Sequence, residues 1–215
     1  MKELYQEVVT QLQENYISQY ANGKPYLKLN GEQCYHFRMN LSYFYKRINE
    51  QTLKKTINVA NRLVDEVFKN ESRAGIIQYI NQPGQLMKFI KKTAISDDYY
   101  VNLPVEERFL RILTCKIENI GLLHKLVMGR IYQDFKPYSD TFTRLDNQII
   151  LVNETKKILL HVYDDRGCDV FCKEEQDYLE LKQLFKKYID SYTAQMEELN
   201  YQVQESTYGV SFTKK

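Results

Sequence analysis

The chain has 215 residues, 43% of them apolar and 27% charged, with a formal net charge of +2. That balance suits one substantial folded domain and argues against disorder, and so small a net charge gives no bulk electrostatic reason to bind nucleic acid or an acidic membrane. The 18 tyrosines and 10 phenylalanines, with no tryptophan, fit half-buried strands or a recognition surface.

In chain order, Leu4, Tyr5, Val8, Val9, Leu12, Tyr16 and Tyr20 fall at helical spacing, so a first amphipathic helix is expected over about 2–20. Asn22-Gly23-Lys24-Pro25 stops it. Tyr26 to Leu29 and Gln33 to Met39 read as short strands around an Asn30-Gly31 turn. A second helix is expected over 51–69, where Leu53, Ile57, Ala60, Leu63, Val64 and Val67 form one stripe and Asn49 can cap it. Gly75 to Ile80 reads as a strand, Gln85 to Ala94 as a short helix, and Ser96-Asp97-Asp98 as a polar loop.

Glu107 to Ile117 alternates as a long strand, and a helix follows over about 120–134 until Lys136-Pro137 breaks it. The pattern then returns to period two, giving a meander of Thr141–Arg144, Gln148–Val152, Ile158–Tyr163 and Cys168–Cys172. Tyr178, Leu181, Phe185, Tyr188, Tyr192 and Met196 recur at three and four, so a helix of about 25 residues is expected to cover the meander. Residues 204–215 turn polar, although Tyr208, Val210 and Phe212 offer a short edge strand.

The fold class expected is α+β in a single domain: an antiparallel sheet, built from a three- to four-strand C-terminal meander plus an N-terminal hairpin, with helices mainly on one face. Its best-defined piece is the last hairpin of the meander. With a three-residue loop, Asp165-Arg166-Gly167, and Gly167 at positive φ, Val162 faces Val170 and Leu160 faces Cys172, so one face stays apolar.

Cys168 and Cys172 share one strand, where four residues span roughly 13 Å, beyond disulfide reach. The cysteines therefore read as core residues of a reducing compartment. The N-terminus carries acids in its first turns, and no window approaches the roughly 18 apolar residues of a membrane span. A cytoplasmic protein is expected.

Motifs for the common enzyme classes are missing: the sequence has no phosphate-binding Gly-rich loop, no H-E-x-x-H and no G-x-S-x-G. The densest charged cluster is Asp164-Asp165-Arg166, followed by Asp169. One reading makes the acids metal ligands or a general base and Arg166 or Arg144 an anion clamp. The other makes the cluster a turn, with Asp bonded to its own backbone and paired to Arg. His161 is a candidate acid or base, and Cys34 with His36 has strand spacing for two metal ligands but lacks a second pair. The paired lysines 54–55, 91–92, 156–157 and 186–187 are dispersed.

Tyr163-Asp164-Asp165-Arg166-Gly167 with Asp169-Val170 resembles the signature of a bacterial family known only as domain of unknown function three-eight-eight-five. Gln133-Asp134-Phe135, Ile149 to Asn153 and Leu184-Phe185-Lys186-Lys187-Tyr188 follow the same order as in that family. The resemblance covers about 120–200, with Phe37-Arg38 a possible early match, and implies that Asp134, Asp164, Asp165 and Arg166 recur. The expected function is a protein-binding module of the toxin-neutralising, immunity type, not an enzyme, with no cofactor. Its contacts are expected at Asp134, Arg144, Tyr163, Asp164, Asp165 and Arg166. The alternative is a metal-dependent hydrolase or phosphoryl-handling enzyme using the acids of the loop. RNA binding is the third reading.

Overall fold

The structure is a computed structural model that describes residues 3–15, 28–29, 32–42, 49–80, 95–102, 109–118, 120–133, 135 and 149–214. The expected helix over 85–94, the strand over 141–144, and Asp134 and Arg144 lie outside these residues.

Among the described residues, the sequence alternates helix and strand irregularly. Helix α1 (Glu3–Asn15) leads to a small hairpin of β1 (Lys28–Leu29) and β2 (Glu32–Gln33), then β3 (Tyr35–Asn40). Next come α2 (Glu50–Val67), β4 (Arg73–Ile80), β5 (Ile95–Asn102), β6 (Phe109–Lys116) and α3 (Gly121–Tyr132). The meander β7 (Ile149–Asn153), β8 (Ile158–Val162) and β9 (Gly167–Cys172) follows, then α4 (Glu175–Glu198), β10 (Tyr201–Ser206) and β11 (Gly209–Lys214).

Nine strands form one sheet in the order β10-β11-β3-β9-β8-β7-β4-β6-β5. Every pairing is antiparallel except the single bridge of β11 to β3, at Gly209 and His36. Gly209 is a glycine for two reasons: its φ is 138°, and a Cβ would lie 2.1 Å from the His36 carbonyl oxygen. The α+β class, the meander and the antiparallel pairing are as expected, and the sheet is wider than three or four strands. The N-terminal hairpin is also reduced to β1 and β2, because β3 pairs with β9, far along the chain.

Side-chain alternation separates two cores. On one face, Phe37, Met39, Leu113, Leu160, Val162, Cys168 and Val170 meet the apolar stripes of α2, α3 and α4. On the other, Ile112, Ile150, Val152, Leu159 and Phe171 meet Tyr5, Val8, Val9 and Leu12 of α1. Among the described helices, the apolar stripes of α2, α3 and α4 thus cover one face and α1 the other, while Ser191 and Tyr192 near the end of α4 reach Asn40 and Arg38 of β3. The start of α2 is fixed by a capping box: Asn49 accepts from the Thr52 N–H and Thr52 Oγ1 accepts from the Asn49 N–H. Cys34, Cys115, Cys168 and Cys172 are free and buried. No described helix is long and apolar enough to cross a membrane.

Three further readings are corrected. Ser96-Asp97-Asp98 lies in strand β5, because the charges that suggested a loop are neutralised in place: Asp98 pairs with Arg111 at 2.8 Å and Asp97 with Arg73 at 3.5 Å. The last hairpin is slipped by two residues from the expected register, so that Val162 faces Cys168, Leu160 faces Val170 and Ile158 faces Cys172. A slip of two keeps every side chain on its face, so the apolar surface survives. Residues 204–214, read as a polar tail in which Tyr208, Val210 and Phe212 offer a short edge strand, belong to the β10–β11 hairpin that begins at Tyr201, with Tyr208 in its turn and Val210 and Phe212 in β11.

Candidate functional site

The central strands arrange a lattice of side chains on the α1 side of the sheet. Across β8, β9 and β3 one row is Leu159, Phe171 and His36, and the next is His161, Asp169 and Arg38. A third row is Tyr163, Gly167 and Asn40, the Tyr163 N–H donating to the Gly167 carbonyl over a long 3.4 Å. The lattice therefore passes within two rows from apolar packing to a polar cluster beside the predicted loop.

Asp169 is the hub. Its Oδ1 accepts from Arg38 Nε at 2.5 Å and its Oδ2 from Arg38 Nη2 at 2.7 Å, the bidentate geometry that suits a guanidinium. His36 Nε2 lies 3.1 Å from Oδ1. Although burial raises its pKa, Arg38 and His36 outweigh that effect and hold the Asp169 carboxyl far below the usual carboxylate range. Arg38 is held on other sides too, donating to Tyr192 Oη at 3.2 Å from Nη1 and lying 5.7 Å and 5.6 Å from the Tyr163 and Tyr192 ring centres. His161 is half-buried, and burial pushes its imidazole down to about 4. Its Nε2 and the Nδ1 of His36 are buried without a hydrogen-bond partner.

The loop is Asp164-Asp165-Arg166, one residue earlier than expected. Asp164 Oδ1 accepts from the Arg166 N–H at 2.8 Å, an Asx turn, and its Oδ2 accepts from Arg166 Nε at 2.8 Å and from Nη2. Asp165 is buried and accepts from Ser42 Oγ at 3.2 Å. The Leu41 N–H donates to the Arg166 carbonyl at 2.9 Å, tying the loop to the chain after β3. Gly167 is not at positive φ, which corrects the reason for that glycine. It is required by crowding: a Cβ would lie 2.6 Å from Tyr163 Oη and 2.8 Å from the Met39 carbonyl oxygen.

The structure thus gathers Tyr163, Asp164, Asp165, Arg166 and His161 into one corner and adds Arg38, His36 and Asp169. From the sequence, Asp169 was named beside the loop, His36 only as a neighbour of Cys34, and Arg38 only in the resemblance. That the three meet was not legible, because the pairing of β3 with β9 joins segments 131 residues apart.

Chemically, this corner holds shape more than it offers reactive groups. Both oxygens of Asp164 and of Asp169 accept hydrogen bonds from within the chain. Among the described residues no three or more His, Cys, Asp or Glu are arranged to hold a metal ion. One guanidinium is nevertheless presented outward: the Arg166 side chain is 80% exposed while clamped by Asp164. Among the described residues Lys54, Lys156 and Lys186 pair with Glu50, Asp177 and Asp190, and the Lys91-Lys92 pair lies outside those residues.

The model of the family described as domain of unknown function (DUF3885) matches residues 13–193. No curated protein and no solved structure matches the chain.

Proposed function

This chain belongs to the DUF3885 family, and we propose that it works as a protein-binding module in the cytoplasm, of the kind that neutralises a toxin or nuclease by covering it. The observation that carries this reading is Arg166: an exposed guanidinium fixed by Asp164 on a loop that Leu41 and Ser42, just after β3, hold through the Arg166 carbonyl and Asp165. Arginine is enriched at the energetic centres of interfaces, and one already held in place loses less side-chain freedom on binding. An acidic or hydrogen-bond-accepting surface on the partner is the chemistry that matches it.

The hydrolase reading is weaker because the acids it needs are occupied as turn and network acceptors. The RNA reading is weaker because the lysines are dispersed and several are paired with acids.

The test is capture from a native lysate, with nuclease treatment, using the wild-type chain and Arg166→Ala as baits. One stoichiometric protein partner is expected with the wild type, its recovery reduced about tenfold or more by Arg166→Ala, as hot-spot truncations do. Arg166→Lys restores little, because an ammonium lacks the planar fork. Recovering no partner, or equal amounts with Arg166→Ala, overturns the reading.

A further inference from the structure

The β10–β11 hairpin is firmly paired within itself and lightly joined to the sheet. Six residue pairs, from Tyr201 with Lys214 to Ser206 with Gly209, bind its strands to one another. Among the described residues a single bridge, Gly209 with His36, binds it to β3, whereas β3 meets β9 over six pairs. At that bridge the His36 N–H donates to the Tyr208 carbonyl at 2.7 Å. Two ring contacts add to it: Tyr208 lies 5.3 Å from Tyr35, and Phe212 meets Tyr192 of α4 edge-on at 5.2 Å. In the two strands of the hairpin only Gly209 and Phe212 are buried. A two-stranded ribbon that buries so little is marginal by itself and is held in place by what it leans on. Its link to the body is equally spare. Leu199, 56% exposed, and Asn200, left-handed at φ 61°, are all that separate α4 from β10, and both of their N–H groups donate back into α4.

We propose that the β10–β11 hairpin is a strap over the outer edge of β3, which swings out as a unit about Leu199-Asn200 while the rest of the sheet stays paired. Opening releases the His36 N–H and lifts Phe212 off Tyr192, the residue whose hydroxyl accepts from Arg38 and whose ring lies beside that guanidinium. The strand order makes β3 the next strand in, so an open strap turns β3 into the end strand, its backbone unpaired on that side. This is the strand that carries Arg38 and whose continuation, Leu41 and Ser42, holds the Arg166 loop. The strap therefore covers the one edge that adjoins the Asp169 cluster. Its closed position is keyed at Gly209, because only a residue without a Cβ lets β11 approach the His36 carbonyl. A Cβ at that point forces the strap away from β3, and removing the Phe212 ring loosens it without touching the backbone.

Amide hydrogen exchange of the full chain, followed residue by residue in rising urea below the unfolding transition, tests this. In the wild type the paired amides of β10 and β11 and the His36 amide are expected to exchange together, with protection at least about 100-fold weaker than in β7, β8 and β9 and with little dependence on urea. Gly209→Ala and Phe212→Ala are each expected to speed exchange of this set by about tenfold or more. Asn153→Leu supplies the converse. It weakens the body of the fold at β7, remote from the hairpin in the strand order, and so is expected to speed exchange in β7–β9 by roughly 30-fold while leaving the hairpin set unchanged. Hairpin amides as protected as those of β7–β9, or sped by Asn153→Leu in the same proportion, mean that the hairpin opens only with the whole fold and overturn the proposal. So does a fast hairpin whose His36 amide stays protected, since that is fraying in place and not a strap leaving β3. Exchange indifferent to both Gly209→Ala and Phe212→Ala overturns it as well.

Discussion

Arg38 and Asp169 face one another across β3 and β9 and are joined by two hydrogen bonds, with Asp169 buried and Arg38 about one-third exposed. Removing one partner of such a pair strands the other without its counter-charge. Arg38→Met is therefore expected to destabilise the fold by about 3 kcal/mol, and Asp169→Leu by a similar amount. The double variant is expected to cost clearly less than the sum, because neither charge is then left alone. Urea unfolding of the four proteins measures this, and single variants within error of the wild type refute the pair's role as an organiser.

The same row of the lattice sets an acid limit. His161 is held down at about 4 in the folded protein, against an unfolded value near 6.5, so as pH falls below about 6.5 the unfolded chain takes up a proton that the folded one refuses. Stability is thus expected to fall between about pH 6.5 and 4, by up to roughly 3 kcal/mol. Asp169 acts in a lower window: its folded pKa is depressed, so its contribution is complete above its unfolded value near 4 and is lost as pH falls further. His161→Leu removes the upper slope and leaves the lower one, as thermal unfolding from pH 7 to 3 measures. An unchanged slope in the variant assigns the acid sensitivity elsewhere.

These residues also mark where the sequence speaks and where it is silent. Period-two and helical spacing depend on local alternation, so the meander, the stripe of α2 and the length of α4 were all legible, as was the Asx turn at Asp164. Strand β5 was not, because Ser96-Asp97-Asp98 is polar by composition and becomes strand-compatible only once Arg111 arrives from the adjacent β6 and Arg73 from β4 beyond it. The exact hairpin register was missed because slips of two residues preserve the apolar face, and the close approach of Gly167 to Tyr163 and the Met39 carbonyl in the register observed depends on β3, which local pattern does not bring in. Asp169 stood in plain view beside the loop, yet its role depends on Arg38, which local pattern cannot bring to it.

Gly75 has a requirement of the same kind. A Cβ there would lie 1.7 Å from Tyr5 Oη, because the Tyr5 side chain of α1 lies over this glycine of β4. The phenol donates to Glu154 Oε1 at 2.6 Å, and Thr114 Oγ1 donates to the same oxygen at 3.1 Å. Gly75→Ala is expected to displace Tyr5 and with it α1, costing about 2–3 kcal/mol. Because Tyr5→Phe removes the closest atom of the clash, adding it to Gly75→Ala costs less than the two changes measured separately, by about 1 kcal/mol. Hydrogen exchange locates the effect: the amides of α1 lose protection before those of the central strands.

Asn153 ties a helix end to a turn. Its Nδ2 donates to the Val67 carbonyl at the last turn of α2, over 2.7 Å, and its Oδ1 accepts from the Lys156 N–H at 2.9 Å. The residue is fully buried at the end of β7. A carbonyl at a helix C-terminus has no partner within its own helix, so Asn153 satisfies an acceptor that burial otherwise leaves bare. Asn153→Leu fills the volume but satisfies neither group, and is expected to destabilise by about 2–3 kcal/mol. Asn153→Asp keeps the acceptor for Lys156 while setting a carboxylate against the Val67 carbonyl, so it is expected to cost at least as much at neutral pH. Its deficit shrinks as pH falls through the aspartate range, because the protonated acid regains a donor toward Val67. Chemical unfolding of both variants at neutral and acidic pH separates the outcomes, and a pH-independent deficit in Asn153→Asp places the loss in the turn and not in the helix end.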